Sequence, residues 1–167
     1  MNVQQQTNEL NPLATDHAAN PRHHGKLPNW NGRARITGPC GDTMEFRLQA
    51  REGRVYRCAF TTDGCGPSLA AGSMAATLAA GRALPEAAAI GQKDVLAALG
   101  GLPAEVEHCA LLAADTLQAA CRDCLDRSAQ GAEGTLASAS GRRKGESDSD
   151  YAERQKLEAR LGRIRHK

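Results

Sequence analysis

Aromatic residues and long apolar runs are both scarce in this chain of 167 residues. Phe, Trp and Tyr together make up 3% of the sequence, so we expect a thin core built from Ala, Leu, Val and Ile. No stretch approaches the roughly 18 apolar residues of a membrane-spanning helix, and the first ten residues have neither an apolar signal core nor arginines. We therefore expect no membrane partner, no secretion and no organelle import, and a location in the cytosol (cytoplasmic).

Charge divides the chain into a balanced domain and a basic tail. Residues 1–128 contain 12 Lys or Arg and 13 Asp or Glu, whereas residues 129–167 contain 9 and 6. We predict a flexible N-terminus (1–15), one domain (16–128), and a disordered tail whose low-complexity linker precedes a basic segment able to form a helix. Because that segment lacks interleaved aromatic residues, it is poor evidence for a nucleic-acid partner.

The middle of the domain has the alternation of half-buried strands. Apolar and polar residues alternate at 43–50, and Tyr56, Cys58 and Phe60 share one face of the next strand. The predicted strands are 33–37, 43–50 and 55–61. Short turns between them predict an antiparallel meander. With helices on either side in sequence, the pattern predicts an α+β fold, a small three-stranded antiparallel sheet with helices packed on it.

Helical patterns flank the predicted strands. Pro67 and Ser68 open a helix that Gly81 ends, with Leu69, Ser73, Ala76 and Ala80 on one face. The other predicted elements are a helical turn and coil over 16–32, short helices at 85–91 and 93–99, and a long helix at 105–128. We expect the histidines of the first of these, His17, His23 and His24, to be exposed to solvent or to cap local backbone.

Three short motifs carry the candidate chemistry. Cys65 lies between two glycines, Cys40 and Asp42 lie in a second glycine-rich loop, and His108 precedes Cys109. Three thiols, a carboxylate and an imidazole suit a thiophilic metal such as iron, zinc or an iron–sulfur cluster. The loops of Cys40 and Cys65 fall at the same end of the predicted meander. Cys65 and Cys109 also precede or begin helices, which predicts lowered thiol pKa values and nucleophilic character.

The other cysteines are interpreted mainly as core residues. Cys58 lies on the apolar face of a predicted strand. Cys121 and Cys124 follow the apolar stripe of the long helix, and Cys121 is about 18 Å along that helix from Cys109. The pair therefore cannot share a metal with Cys109. Burial as core thiols is favoured, and redox activity of Cys121 and Cys124 is left open.

Together with a fourth motif near the N-terminus, these three motifs resemble those of the IscU/NifU-type iron–sulfur cluster assembly scaffolds, over about Asp16 to Ser128. The resemblance rests on Asp16–Arg22, Pro39–Asp42, Gly64–Gly66 and His108–Cys109. It implies the NifU-like N-terminal α+β domain and a scaffold on which clusters, [2Fe-2S] above all, are built and then transferred.

The resemblance also implies residue roles and partners. Cys40, Cys65 and Cys109 match the three ligand cysteines, Asp42 matches the carboxylate that promotes release, and His108 matches the histidine before the third cysteine. Whether Asp42 or His108 is the fourth ligand stays open, as does a homodimer sharing one cluster. Cys109 and Cys65 are candidate persulfide acceptors. The implied partners are a cysteine desulfurase, cluster acceptor proteins and an Hsp70-type chaperone.

Two features of the sequence bear on these implications. The loop 102–107 has one proline and acidic residues where the family usually has a Pro-Pro pair and a lysine, which weakens the expectation of a chaperone. The interval from Cys65 to Cys109 has no long insertion of the kind found in the zinc-binding sulfur-transfer branch. We expect binding and transfer, not an enzyme. The alternatives are a zinc-dependent sulfur-transfer partner that activates a cysteine desulfurase, and a structural zinc module. The structural module is disfavoured because no two of Cys40, Cys65 and Cys109 form a Cys-x-x-Cys pair.

Overall fold

The structure is a computed structural model that describes residues 10–138, with side chains described as far as residue 130. This part of the chain holds five α-helices and three strands, which confirms the predicted α+β class. In chain order they are α1 (Pro12–Ala19), β1 (Gly32–Thr37), β2 (Thr43–Arg51), β3 (Arg54–Thr62), α2 (Gly66–Ala79), α3 (Leu84–Ala87), α4 (Gln92–Leu99) and α5 (Glu107–Ser138). A 3₁₀ turn at Ala104–Val106 leads into α5.

The sheet is the predicted antiparallel meander, in the order β1-β2-β3. Phe46 of β2 pairs with Ala34 on one side and with Phe60 on the other. Met44, Phe46 and Leu48 are fully buried on the inner face, as their alternation predicts. The Phe46 and Phe60 rings stack with centroids 5.8 Å apart. The two phenylalanines of the chain therefore form the centre of the core.

Tyr56 does not lie on the buried face on which the alternation placed it. The register shifts between Gln49 and Ala50, and Ala50 pairs with Val55. The shift is a β-bulge that leaves one residue of β3 without a partner on β2 and reverses the inward and outward sides. Val55 is buried, whereas Tyr56 is 50% exposed, with the Arg51 guanidinium 4.1 Å from its ring centroid.

Glu45 lies on the outer face of the sheet but is only 8% exposed. Arg33 and Arg47 pair directly across β1 and β2, and their like charges would repel each other. The carboxylate of Glu45 accepts from Arg33 Nη2 at 2.9 Å and from Arg47 Nε at 2.6 Å. Burial alone would raise the pKa of Glu45, but the hydrogen bonds and charges of the two arginines outweigh it and hold the pKa below its usual value.

Helix α2 is buried around most of its circumference, not along a single stripe. It contacts α1, β3 and α4. Ser73 and Ala76 are fully buried, whereas Ala80, which was predicted to share their face, is exposed just beyond the end of the helix. A helix that packs against neighbours on several sides shows no clear apolar stripe. The predicted single buried face of α2 is therefore wrong.

The other helices are longer or shorter than predicted. Helix α1 begins at Pro12, before the predicted turn, and α3 is a single turn. Helix α5 continues to Ser138, past the predicted end at Ser128, so the predicted disorder is wrong for residues 129–138. It runs through Gly131 and Gly134, each of which costs about 1 kcal/mol of helix propensity. The rest of the predicted linker, the basic segment and residues 1–9 lie outside the described residues.

Cys58, Cys121 and Cys124 are core residues, as predicted, with exposed fractions of 4%, 0% and 1%. Burial, more than any other cause, raises the pKa of Cys58, raises that of Cys121 to about 12, and raises that of Cys124. These thiols are protonated at neutral pH. Among the described residues, no helix has the length and apolar character needed to cross a membrane.

Candidate functional site

Cys40 is at the tip of the hairpin that joins β1 to β2. The Gly38 N–H donates to the Asp42 carbonyl at 2.8 Å, and the Gly41 N–H donates to the Gly38 carbonyl at 3.0 Å. Gly41 has φ +91°, a value that residues with a Cβ rarely adopt. The tight loop leaves Cys40 exposed, while Asp42 lies at the base of the loop next to β2.

Asp63 joins the end of β3 to the start of β2. Its Oδ1 accepts from the Thr43 N–H at 2.7 Å, and its own N–H donates to the Thr43 carbonyl at 3.2 Å. The loops that carry Cys40 and Cys65 therefore leave the sheet at the same end, as the predicted meander requires.

Cys65 is the residue that precedes the first turn of α2. It is the N-cap of the helix, with Gly66 and Pro67 as the first two helical residues, and its side chain makes no capping hydrogen bond. The thiol is partly exposed. The N-terminal end of a helix favours a negative charge, so this position suits a thiolate ligand.

Cys109 lies in the first turn of α5 and is only 1% exposed. Loss of solvent is the largest cause that raises the pKa of its thiol, to about 11. A hydrogen bond from Ser68 opposes the shift, and the negative charges of Cys65, Asp42 and Cys40 add to it. The prediction of a lowered pKa at Cys109 is therefore wrong for the metal-free protein, because burial and neighbouring charges outweigh the helix dipole.

Ser68 and His108 complete the surroundings of Cys109. Ser68 Oγ is 3.0 Å from Asp42 Oδ2 and 3.4 Å from Cys109 Sγ. His108 is exposed, and its Nε2 is 3.8 Å from Cys109 Sγ. The thiol of Cys109 is thus in contact with both a hydroxyl and an imidazole.

The predicted ligands converge on one end of the sheet without closing around a common point. Cys65, Asp42 and Cys40 are near enough for their charges to act on Cys109. Within residues 10–138, however, no three His, Cys, Asp or Glu side chains are close enough together to hold one metal ion. The thiols also differ in access, from exposed Cys40 through partly exposed Cys65 to buried Cys109.

Comparison with known proteins places this geometry in a family. The family model described as the NifU-like N terminal domain matches residues 10–130. The chain belongs to this NifU-like family. The match spans all three strands and every candidate ligand.

Three relatives of this NifU-like chain are named as scaffold proteins. The iron-sulfur cluster assembly scaffold protein IscU 1 of Archaeoglobus fulgidus is 39% identical over 109 residues, covering 65% of this chain and 71% of the relative. The IscU scaffold protein of Aquifex aeolicus is 35% identical over 120 residues, covering 70% and 76%. The Escherichia coli K12 IscU scaffold protein is 34% identical over 113 residues, covering 65% and 88%.

Solved structures show the same fold. The N-terminal part of a nitrogen-fixing NifU-like protein from Brucella abortus superposes with a TM-score of 0.57 at 19% identity, covering 75% of this chain and 99% of the solved one. A hypothetical protein solved at 2.3 Å superposes with a TM-score of 0.54 at 26% identity, covering 66% and 94%.

His17 of this NifU-like domain is buried, which corrects the expectation that it is exposed or caps local backbone. It is 6% exposed, and its Nδ1 is 2.7 Å from Ser73 Oγ on α2. The Arg22 N–H donates to the same oxygen at 2.8 Å. Burial lowers the pKa of His17, so a neutral ring can accept the serine hydrogen. His23 and His24 are exposed, as predicted.

Ser68 and Asp63 are the site residues that sequence reasoning missed. Both bonds that place Ser68 in the site reach residues far away in sequence, at separations of 26 and 41 positions. One signal was present in the sequence: Ser68 is a polar residue in the first turn of a helix, and helical side chains tilt toward the N-terminal end of their helix, where Cys65 lies. Asp63 directly follows the observed strand β3, and its bond to the Thr43 N–H spans 20 positions of sequence.

Proposed function

We infer that this chain is a scaffold on which iron–sulfur clusters are assembled and from which they pass to acceptor proteins. One observation carries the inference: three thiols, a carboxylate and an imidazole lie at one end of the sheet, in a chain 34–39% identical to named IscU scaffold proteins. Thiolates are the usual protein ligands of iron–sulfur clusters.

We propose Cys40, Cys65 and Cys109 as the thiolate ligands of the cluster, with Asp42 or His108 in the fourth position. A [2Fe-2S] cluster is the cargo that the family resemblance implies. An oxygen or nitrogen donor binds iron less tightly than a thiolate does, which suits a protein that must release its cluster.

We propose that sulfur arrives from a cysteine desulfurase as a persulfide. A scaffold thiolate attacks the outer sulfur, the sulfur–sulfur bond of the donor breaks, and the desulfurase thiolate leaves. A dithiol then supplies the two electrons that reduce the new persulfide to sulfide. Cys65 and Cys109 are the candidate acceptors, and Cys109 would need the site to open because it is buried.

Several finer points stay predictions. These are the cytosolic location, the Hsp70-type chaperone, and a homodimer that shares one cluster. Zinc in the isolated protein stays one too, because the same ligands suit tetrahedral zinc.

The test is anaerobic assembly with ferrous iron, cysteine, a cysteine desulfurase and dithiothreitol, followed by visible absorption. Wild type should develop sulfide-to-iron charge-transfer bands that fade in air. Cys109→Ala should lose the bands, whereas Cys124→Ala, which removes a buried cysteine outside the site, should keep them. In Asp42→Ala the bands should last longer. A colourless wild-type protein that keeps one zinc and accelerates the desulfurase would contradict the scaffold function.

A further inference from the structure

Ser68 lies between two site residues of different chemistry, the carboxylate of Asp42 and the thiol of Cys109. Its hydroxyl oxygen is 3.0 Å from the Asp42 carboxylate and 3.4 Å from the Cys109 sulfur. A hydroxyl has one hydrogen to donate, and a carboxylate is a stronger acceptor than a thiol. The Ser68 hydrogen therefore goes to Asp42 while Cys109 is a thiol, and it can go to Cys109 only when that sulfur is a thiolate.

The surrounding backbone keeps the serine in this place. Ser68 is fully buried and belongs to the first turn of α2, where the backbone is fixed by the helix. Gly64 passes so close that a Cβ there would lie 2.5 Å from Ser68 Oγ and 2.8 Å from Asp42 Oδ2. The hydroxyl and the carboxylate oxygen therefore share a narrow space against the Gly64 backbone.

The orientation of the Asp42 side chain depends on Ser68, because the hydrogen bond within the loop fixes only the Asp42 backbone. Its carbonyl is fixed by the Gly38 N–H, but within residues 10–138 the hydrogen bond to its side chain comes from Ser68. The neighbouring Gly41 gives the loop backbone freedom that a residue with a Cβ would lack. Without the hydroxyl, the carboxylate could turn from the buried sulfur toward water.

We propose that Ser68 is a positioning residue that holds the Asp42 carboxylate beside Cys109 and thereby sets how fast a bound cluster is released. The proposal rests on the proposed scaffold function and on the releasing role of Asp42. Ser68 acts through Asp42: an oxygen donor held next to the iron bound by Cys109 can compete with the sulfur ligand, whereas one that points to solvent cannot.

The experiment is a double-mutant cycle on cluster lifetime. Clusters are assembled on wild type, Ser68→Ala, Asp42→Ala and the double variant, and the decay of visible absorption is followed after addition of EDTA. Ser68→Ala should lengthen the lifetime about fivefold, a typical coupling for residues in direct contact. The double variant should match Asp42→Ala, because Ser68 has no further effect once the carboxylate is gone.

Ser73→Ala is the matched control. Ser73 is also fully buried on α2, but it bonds His17 and not the site. This variant should lose a comparable amount of thermal stability and keep the wild-type cluster lifetime within about twofold.

Two results would overturn the proposal while leaving the scaffold function intact. One is an unchanged lifetime in Ser68→Ala. The other is a lengthening by the same factor with and without Asp42, which would mean that Ser68 acts through general stability. Failure of wild type to assemble any cluster would instead refute the proposed function on which the proposal rests.

Discussion

Cys109 should be strongly protected from alkylation in the metal-free protein. Burial raises its pKa from 9.0 to about 11. At pH 8, where both values lie above the pH, two pKa units lower the population of the reactive thiolate about 100-fold. The 1% exposure of the residue hinders the reagent further. We therefore expect iodoacetamide to modify Cys109 at least about 100 times more slowly in the folded chain than in the urea-unfolded chain.

Peptide mass spectrometry after timed iodoacetamide pulses can measure this ratio for each cysteine. Exposed Cys40 is the internal reference and should be modified readily in both states. Between pH 9 and 11 the ratio of the unfolded to the folded modification rate of Cys109 should fall. The unfolded thiol is already ionised in this range, whereas the thiolate population of the folded one still rises about tenfold per pH unit. Modification of folded Cys109 within about tenfold of its unfolded rate at pH 8 would refute this account of burial.

Three further predictions concern stability and can be measured by urea denaturation. Gly72→Ala should lower the free energy of unfolding by about 1 to 3 kcal/mol, because the new Cβ would lie 2.4 Å from the Phe60 ring; a loss no larger than that of Thr77→Ala, an exposed site on the same helix, would contradict this. Glu45→Gln should make the free energy of unfolding fall less steeply as the pH drops below about 4.5. The folded pKa of Glu45 is lowered, and its ion pairs stabilise the protein only while the carboxylate is ionised. The same decrease with pH in wild type and variant would contradict this role of Glu45. Cys121→Ala should reduce the loss of stability above pH 9 by about 1.4 kcal/mol per pH unit. In the wild type the unfolded thiol ionises at a lower pH than the folded thiol, whose pKa is about 12, and this ionisation favours the unfolded chain. An unchanged dependence of stability on pH above 9 would contradict this effect of Cys121.

The sheet could be predicted because its information is local. Alternation of Met44, Phe46 and Leu48 with polar residues indicates which face is buried, and short turns fix the order of the strands. The bulge that exposes Tyr56 could not be predicted, since it depends on the register with β2. Period-two reasoning assumes that no residue is inserted. Here the inserted residue reverses the assignment of Tyr56, whereas Cys58 and Phe60 keep their predicted buried face.

Within the candidate site, the sequence indicated which loops meet but not how their side chains interact. Cys40 and Cys65 were expected at one end of the sheet because a meander places them there. The contact between Ser68 and Asp42 depends on how α2 packs, which no local pattern encodes. The same limit applies to His17 and Ser73, 56 positions apart. The pKa of Cys109 was misjudged because the helix dipole is visible in sequence, whereas burial is not.

Helix α2 also bears on how a chain with two phenylalanines can be stable at all. Half of its fourteen residues are Ala or Gly, and such residues lose essentially no side-chain conformational entropy on folding. A larger side chain would bury more apolar area but would also lose rotamer freedom. By burying many small residues at close range, the domain orders few rotatable bonds for each residue it removes from water. The scarcity of large apolar side chains is therefore partly offset by the low side-chain entropy that the small residues lose on folding.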